Sequence, residues 1–473
     1  MAPAPRTSRV AVVGGGIAGL TAAWDLARRG AEVTVYEAGS RLGGAVAPHV
    51  LAGVRCDAGA EAFATRTTAV RQLIEDLGLA EQVVSPNPAG AWLQIPGLAA
   101  PLPATGLLGI PGDPQAEDVR RLIGAEAAVR AAQDLHRPVD QWRGVSSPTV
   151  GQVARDRMGD VVVDALVSPI TSGVHSADPD ELDMNTAAPG LFRAMLEEGS
   201  LARAVQRLKA QAPAGSAVQS LHGGMATLVD ALEAALRQAG VTIHLNHRVT
   251  DLRGLEADHL LLAVDGLAAL ELLGPVLPQL EGEGFSDGGT GGVALVSMVV
   301  HAPELDAHPR GTGMLVAPSV TEIGAKAMTH ASAKWAWAAD ALTAVLGPGH
   351  HLVRLSYGRI TDTTDSPTLG FQSSDEQLLA AAAADLPQLT GVPIGPEQIL
   401  DADVVRWERA LPAASAGHLQ RVQQLRQALS QLRQLPQGEA GTKIWTAGSW
   451  FAGTGLARVI PDARAVAARM LDN

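Results

Sequence analysis

The stretch RVAVVGGGIAGLTAAWDLARRGAEVTVYE, residues 9–37, decides the fold. RVAVVG is a short buried-strand pattern, and GGGIAG places glycines at 14, 16 and 19, the G-x-G-x-x-G spacing. Leu20, Ala23, Trp24 and Ala27 recur at i, i+3, i+4 and i+7, which predicts a helix with one apolar face. Gly30 supplies a left-handed stop, and AEVTVYE is a second strand ending on Glu37. Strand, glycine turn, helix, strand and acid together form a dinucleotide-binding unit. The glycines let the backbone turn tightly and pass close to a pyrophosphate, the helix N-terminus faces its charge, and Glu37 stands where a ribose hydroxyl is bound. The fold class is therefore α/β with a Rossmann-like domain.

A second glycine-rich turn, TAGSWFAGTGLARVIPDARAVAARM, lies at residues 446–470, with Gly448, Gly453 and Gly455 ahead of an apolar helical run. One long cofactor explains both turns. AGSRLGG follows Glu37, and its Arg41, Gly43 and Gly44 suit a second backbone pass along such a molecule. The pattern E-x-x-x-R-x-G-G is similar to the mark of flavoproteins of the amine oxidase and phytoene desaturase kind. No other strand-linked fingerprint offers a nicotinamide site, since GGTGG at 288–292 lacks both helix and acid. FAD is thus the expected cofactor. Its adenine end would lie on the first turn, and the late helix N-terminus would receive the flavin and its negative charge on reduction.

Composition narrows the partners. The 473 residues are 47% apolar and 18% charged, enough for a large core. A formal charge of −13 opposes nucleic-acid binding. Lysine occurs only at 209, 326, 334 and 443, so arginine must carry most positive charge. The one cysteine, Cys56, fits a reducing cytosol, and MAPAPRTSR is too short and polar for an export signal. The longest uncharged run, residues 82–112, contains six prolines and reads as hairpin and loop lining something apolar, not as a membrane span. A cytoplasmic location is expected, with peripheral membrane contact permitted by an apolar substrate mouth. No metal site is expected from the scattered histidines, and no G-x-S-x-G elbow occurs. HLQRVQQLRQALSQLRQL at 418–435 reads as a packing helix.

Along the chain, residues 1–83, 216–290 and 441–473 read as the FAD-binding domain. Residues 84–215 read as a mostly helical insertion and residues 291–440 as a substrate domain with an antiparallel sheet.

Seven stretches together resemble the FAD-dependent protoporphyrinogen and coproporphyrinogen oxidases of haem synthesis. They are DAGAEAFATR (57–66), PLPATGLLGIPGDP (101–114), SPITSGVHSADPDEL (168–182), LHGGMATLVDAL (221–232), SAKW (332–335), RWERALPAASAGHLQRV (406–422) and GSWFAGTGLARVI (448–460). They fall in family order, in the style of the actinobacterial coproporphyrinogen III oxidases. The resemblance implies FAD contacts at Gly14, Gly15, Gly16, Ile17, Ala18, Gly19, Glu37, Ala38, Arg41, Gly44, Gly59, Ala60, Glu61 and Ala62. It further implies Val249 at the adenine end and Trp407, Leu456, Ala457 and Arg458 near the flavin. The chain departs from the family pattern at Ala413 and Ala414 and at His175, and is short between Val249 and Asp258.

The implied reaction is a six-electron oxidation of a porphyrinogen, with oxygen reduced to peroxide. A methylene bridge between electron-rich pyrroles stabilises its own cation on hydride loss, so no obligatory catalytic side chain is expected. The substrate's propionates call for local cations. Arg66 is the first candidate, followed by Lys334, Arg354 and Arg359; His175 is a further substrate candidate. Arg66 could alternatively pair with Glu61. Protoporphyrinogen IX, an amine or a polyene are alternative substrates, a non-catalytic porphyrin- and FAD-binding protein is the alternative from another class, and a ferrochelatase is the implied downstream partner.

Overall fold

A computed structural model describes residues 7–104, 106–211, 217–277, 292–358, 369–408, 418–434 and 442–472; the side chains of 175 and 419 lie outside that description. Among these residues a five-stranded parallel sheet is built from segments far apart in the chain. Its order is Thr242–His244, β2 (Glu32–Tyr36), β1 (Arg9–Val13), His259–Leu262 and Lys443–Thr446. The late strand Lys443–Thr446 pairs directly with His259–Leu262, so the final segment is an integral part of the sheet.

Strand alternation assigns the two faces of this sheet. Val10 and Val12 face one layer, packing with Leu20 and Trp24 of α1 (Ile17–Arg28) and with the helices Ala226–Gln238 and Leu456–Asp472. Ala11 and Val13 face the other, which holds Leu272 and Leu273 with Val422, Leu425 and Leu429. The last three belong to the helix His418–Arg433, which packs as its pattern predicted. It lies over the face where the chain is short between Val249 and Asp258, and that stretch contains a single 3-10 turn, Leu252–Gly254. Gly30 takes φ +87° and its N–H donates to Ala27 O at 3.0 Å, ending α1 as expected.

A seven-stranded sheet forms the second body. Its order is Ile399–Trp407, Val293–His301, His350–Tyr357, Ala327–His330, Gly313–Val316, Trp92–Ile95 and Leu98–Pro101. The last two strands come from the segment read as helical insertion. Trp92–Ile95 pairs parallel with Gly313–Val316, across more than two hundred residues of sequence, so the proline-rich run completes the sheet. Beyond that hairpin, Leu102, Pro103, Leu107, Leu108, Leu166 and Ile170 line an apolar cleft of about 150 Å³.

Ala294, Val296, Met298 and Val300 on one strand, and Val353, Leu355 and Tyr357 on its neighbour, pack into the helical segment of residues 117–211. Residues of opposite parity, Ser297, Leu352 and Arg354 among them, therefore face away from that core and line a small cavity with Cys56, Asp57 and Glu61. No helix among the described residues is long and apolar enough to cross a membrane.

Candidate functional site

The glycines of the first turn serve different purposes. Gly14 has φ +108°, and a Cβ there would lie 2.4 Å from the Ala263 carbonyl oxygen. A Cβ at Gly19 would lie 2.0 Å from the Gly14 oxygen. Both positions must be bare for the protein to pack on itself. Gly16 caps α1, and a Cβ there would meet nothing within 4 Å, so the space before the helix N-terminus is open. The second turn lies alongside: Gly43 N–H donates to Gly15 O at 2.8 Å, and a Cβ at Gly44 would come 3.3 Å from Gly16 Cα. An open cradle between two glycine turns, at a helix N-terminus, fits the pyrophosphate of FAD.

Glu37 pins these turns together. Its Oε2 accepts from Gly15 N–H at 2.8 Å and its Oε1 from Gly39 N–H at 2.6 Å. Beside it, Tyr36, the last residue of β2, forms a ring cluster with His244 and His247, with centroids 5.2, 5.0 and 5.7 Å apart. Val249 is half-buried against the neighbouring core. Ile17 and Ala18 begin α1, and Ala38 follows Glu37 at the strand end.

Toward the other end, residues from three distant segments meet. Arg41 donates to the carbonyls of Leu42 and Gly44 at 3.2 and 3.1 Å, with its guanidinium 5.9 Å from the Trp407 ring centroid. Trp407 Nε1 donates to Ala58 O at 3.1 Å, and its ring lies so close to Gly59 that a Cβ there would come within 3.1 Å of it. Ala60 N–H donates to Ala45 O at 3.0 Å, and Ala62 packs beside Trp335 and Trp337. In the late turn Gly448, Gly453 and Gly455 all have positive φ, and Leu456 and Ala457 anchor the following helix in the core.

Behind Gly59–Ala62 sits a half-buried charge cluster. Glu61 Oε1 accepts from Lys334 Nζ at 2.5 Å and Oε2 from Arg354 at 3.0 Å, with side-chain exposures of 12%, 21% and 14% respectively. Burial alone would raise the Glu61 carboxyl. Lys334 and Arg354 together outweigh it and hold the group below its usual range. Arg354 also donates to the carbonyls of Asp57 and Gly59 at 3.2 and 3.0 Å, bracing the turn from beneath. Arg354 reaches this cluster because its neighbours Val353 and Leu355 belong to the opposite core.

Asp57 is a buried acceptor that the sequence reading did not assign. It takes the N–H groups of Met225 and Ala226 at 3.0 and 3.1 Å, at the start of the helix Ala226–Gln238. Burial pushes its carboxyl up to about 6 despite those two bonds. Two acids within the otherwise apolar DAGAEAF run were the available signal for both this contact and the Glu61 cluster.

The basic candidates separate. Lys334 and Arg354, expected near propionates, are both engaged by Glu61. Arg66 does not pair with Glu61; it is exposed, and its neighbour Thr67 donates to Ala457 O at 3.5 Å. The His175 side chain, Arg359, Ala413 and Ala414 lie outside the described residues. Among the described residues no group of three or more His, Cys, Asp or Glu could hold a metal ion.

This geometry has counterparts. The model of the flavin containing amine oxidoreductase family matches residues 17–471. The chain is 32% identical over 430 residues to a protein of Mycobacterium bovis named coproporphyrinogen III oxidase, covering 88% of this chain and 90% of the relative. A Staphylococcus aureus protein of the same name is 26% identical, with 90% and 92% covered. A solved structure from Exiguobacterium sp. 255-15, assigned provisionally as a protoporphyrinogen oxidase, superposes with a TM-score of 0.81 at 26% identity, over 99% of this chain and 100% of that one. A putrescine oxidase shares the fold at a TM-score of 0.65 and 17% identity, over 98% and 99% of the two chains. The chain belongs to the flavin containing amine oxidoreductases and, among them, to the coproporphyrinogen III oxidase family, and it is an FAD-dependent oxidoreductase.

Proposed function

We propose that the protein oxidises coproporphyrinogen III to coproporphyrin III, removing six electrons and passing them to oxygen as three molecules of hydrogen peroxide. The observation that carries this reading is the extent of the likeness: 88% of the chain aligns with the M. bovis coproporphyrinogen III oxidase, well beyond the FAD fingerprint. Bound FAD supplies two-electron acceptance from a carbon–hydrogen bond.

The chain's own residues would do the rest. The open face of Gly16, the Glu37-pinned turns and the helix beginning at Leu456 would hold the two ends of the cofactor. Trp407, packed on Gly59, and the braced 57–61 turn would line the cofactor nearer its flavin end and exclude water there. No acid–base side chain is assigned, because the substrate's pyrroles stabilise the developing cation and a pyrrole N–H can release the proton. Positioning is then the protein's main contribution. Product would leave for a downstream chelatase.

The test is porphyrin fluorescence growth by the purified FAD-loaded protein in air. Coproporphyrinogen III and protoporphyrinogen IX are compared side by side, with peroxide counted. Fast coproporphyrin formation with about three peroxides per product is expected. Growth no faster than autoxidation with either substrate would overturn the proposal, and preference for protoporphyrinogen IX would replace its substrate.

A further inference from the structure

We propose that Arg66 and Arg458 form a paired-guanidinium clamp that takes one carboxylate of the substrate at the rim of the cofactor cleft. The inference rests on the porphyrinogen reading above, since it needs a substrate bearing carboxylates.

The two arginines arrive from opposite ends of the chain. Thr67, next to Arg66, donates to the carbonyl of Ala457, next to Arg458, at 3.5 Å. Arg458 stands in the first turn of the helix Leu456–Asp472, directly after the late glycines. Its side chain crosses that turn: a Cβ on Gly453 would lie 3.1 Å from Arg458 Cδ, so a larger residue there would displace it. The guanidinium donates to Thr186 O at 3.2 Å, in the short helix Met184–Ala187 of the helical segment. Arg458 therefore bridges the cofactor-binding body and the helical body beside the late glycine turn.

Charge completes the argument. The chain carries 49 acids against 36 Lys and Arg, yet neither Arg66 nor Arg458 pairs with a carboxylate among the described residues. Lys334 and Arg354 are already satisfied by Glu61 and cannot serve as well. Burial first, and the Arg66 charge second, lower the basicity of Arg458. Two neighbouring cations beside a helix N-terminus repel each other, and an anion between them relieves that repulsion while accepting charge-assisted hydrogen bonds from both. A carboxylate fits a planar guanidinium in two-pronged fashion, which a lysine could not reproduce.

The experiment uses the FAD-loaded protein and non-turnover binding of the oxidised porphyrins. Coproporphyrin III, with four carboxylates, and protoporphyrin IX, with two, are titrated against wild type, Arg66→Ala, Arg458→Ala, the double variant and Arg458→Lys. FAD per chain is read from the flavin absorbance. Each alanine variant should weaken coproporphyrin binding about tenfold, the worth of one charged hydrogen bond, with the double variant little worse because one carboxylate is shared. Arg458→Lys should recover part of the loss, and Arg66→Ala should keep its full FAD content.

Unchanged porphyrin affinity in both alanine variants, with wild type binding tightly, overturns the clamp and leaves the porphyrinogen reading standing. Loss of FAD from Arg458→Ala with porphyrin binding intact reassigns that arginine to the cofactor and also overturns it. A wild type that neither binds porphyrin nor turns over porphyrinogen overturns both.

Discussion

The two ends of the cleft are built on opposite principles. At the first glycine turn the decisive feature is missing side chains. Gly14 and Gly19 are bare so that strand and helix can touch, and Gly16 is bare toward open space. At the 57–61 turn the decisive feature is charged side chains brought in from afar, with Lys334 and Arg354 meeting Glu61 across 273 and 293 residues of sequence. One end is specified within 30 residues; the other exists only once both bodies have docked. At Gly14 and Gly19 the first end tolerates no added atom, and the second depends on the Glu61 carboxylate that both cations share.

Removing one member of the ion cluster should have the largest effect. Glu61→Gln leaves Lys334 and Arg354 facing each other with no anion, at a cost of about 3–5 kcal/mol. Lys334→Met should cost less, because Arg354 still balances the carboxylate. Urea unfolding of both variants measures this, and an effect of Glu61→Gln under about 0.5 kcal/mol would show the cluster to be well hydrated.

The glycine end makes a sharper prediction of similar scale. Gly14→Ala forces a strained φ and a backbone clash, and should destabilise the apoprotein by about 3 kcal/mol. Gly16→Ala adds its methyl to open space at φ −73°, so the apoprotein should keep its stability to within about 1 kcal/mol while FAD retention collapses. Melting temperature of the apoprotein and flavin content of the loaded protein separate the two effects. Normal FAD retention by Gly16→Ala would mean that the cradle is not where the pyrophosphate passes.

A smaller effect should come from pH. His330 is buried on the strand leading to Lys334, and burial, then the neighbouring His351 and His308, lower its pKa to about 3. The depressed value means that its contribution is fully present above the unfolded pKa near 6.5 and is lost as pH falls toward 3. Between pH 7 and pH 5 this amounts to about 2 kcal/mol. His351 is lowered too, first by burial, and adds in the same direction. Stability of wild type and His330→Gln should diverge over that range, with the variant flatter; parallel curves would assign the acid sensitivity elsewhere.

These differences also explain what the sequence disclosed. The first turn was legible because the features that define it are local: spacing gave the glycines, periodicity gave α1, and Glu37 closed the unit. Trp407 against Gly59 and the partners of Glu61 had no such spacing, because nothing local ties residue 61 to residues 334, 354 or 407. The hairpin Trp92–Ile95 and Leu98–Pro101 was recognisable as a hairpin, but its parallel partner Gly313–Val316 was not. Arg354 is the clearest case. Its direction follows from the burial of Val353 and Leu355, which is a property of the assembled sheet.

The strand Lys443–Thr446 has a consequence for how the protein comes into being. Until it emerges from the ribosome, His259–Leu262 is an open parallel edge, and the helix beginning at Leu456 does not yet exist. The nascent chain can thus build most of both bodies while its cofactor site stays incomplete. Flavin loading then waits for residues 443 to 456, and a chain interrupted between residues 262 and 443 presents an exposed strand edge.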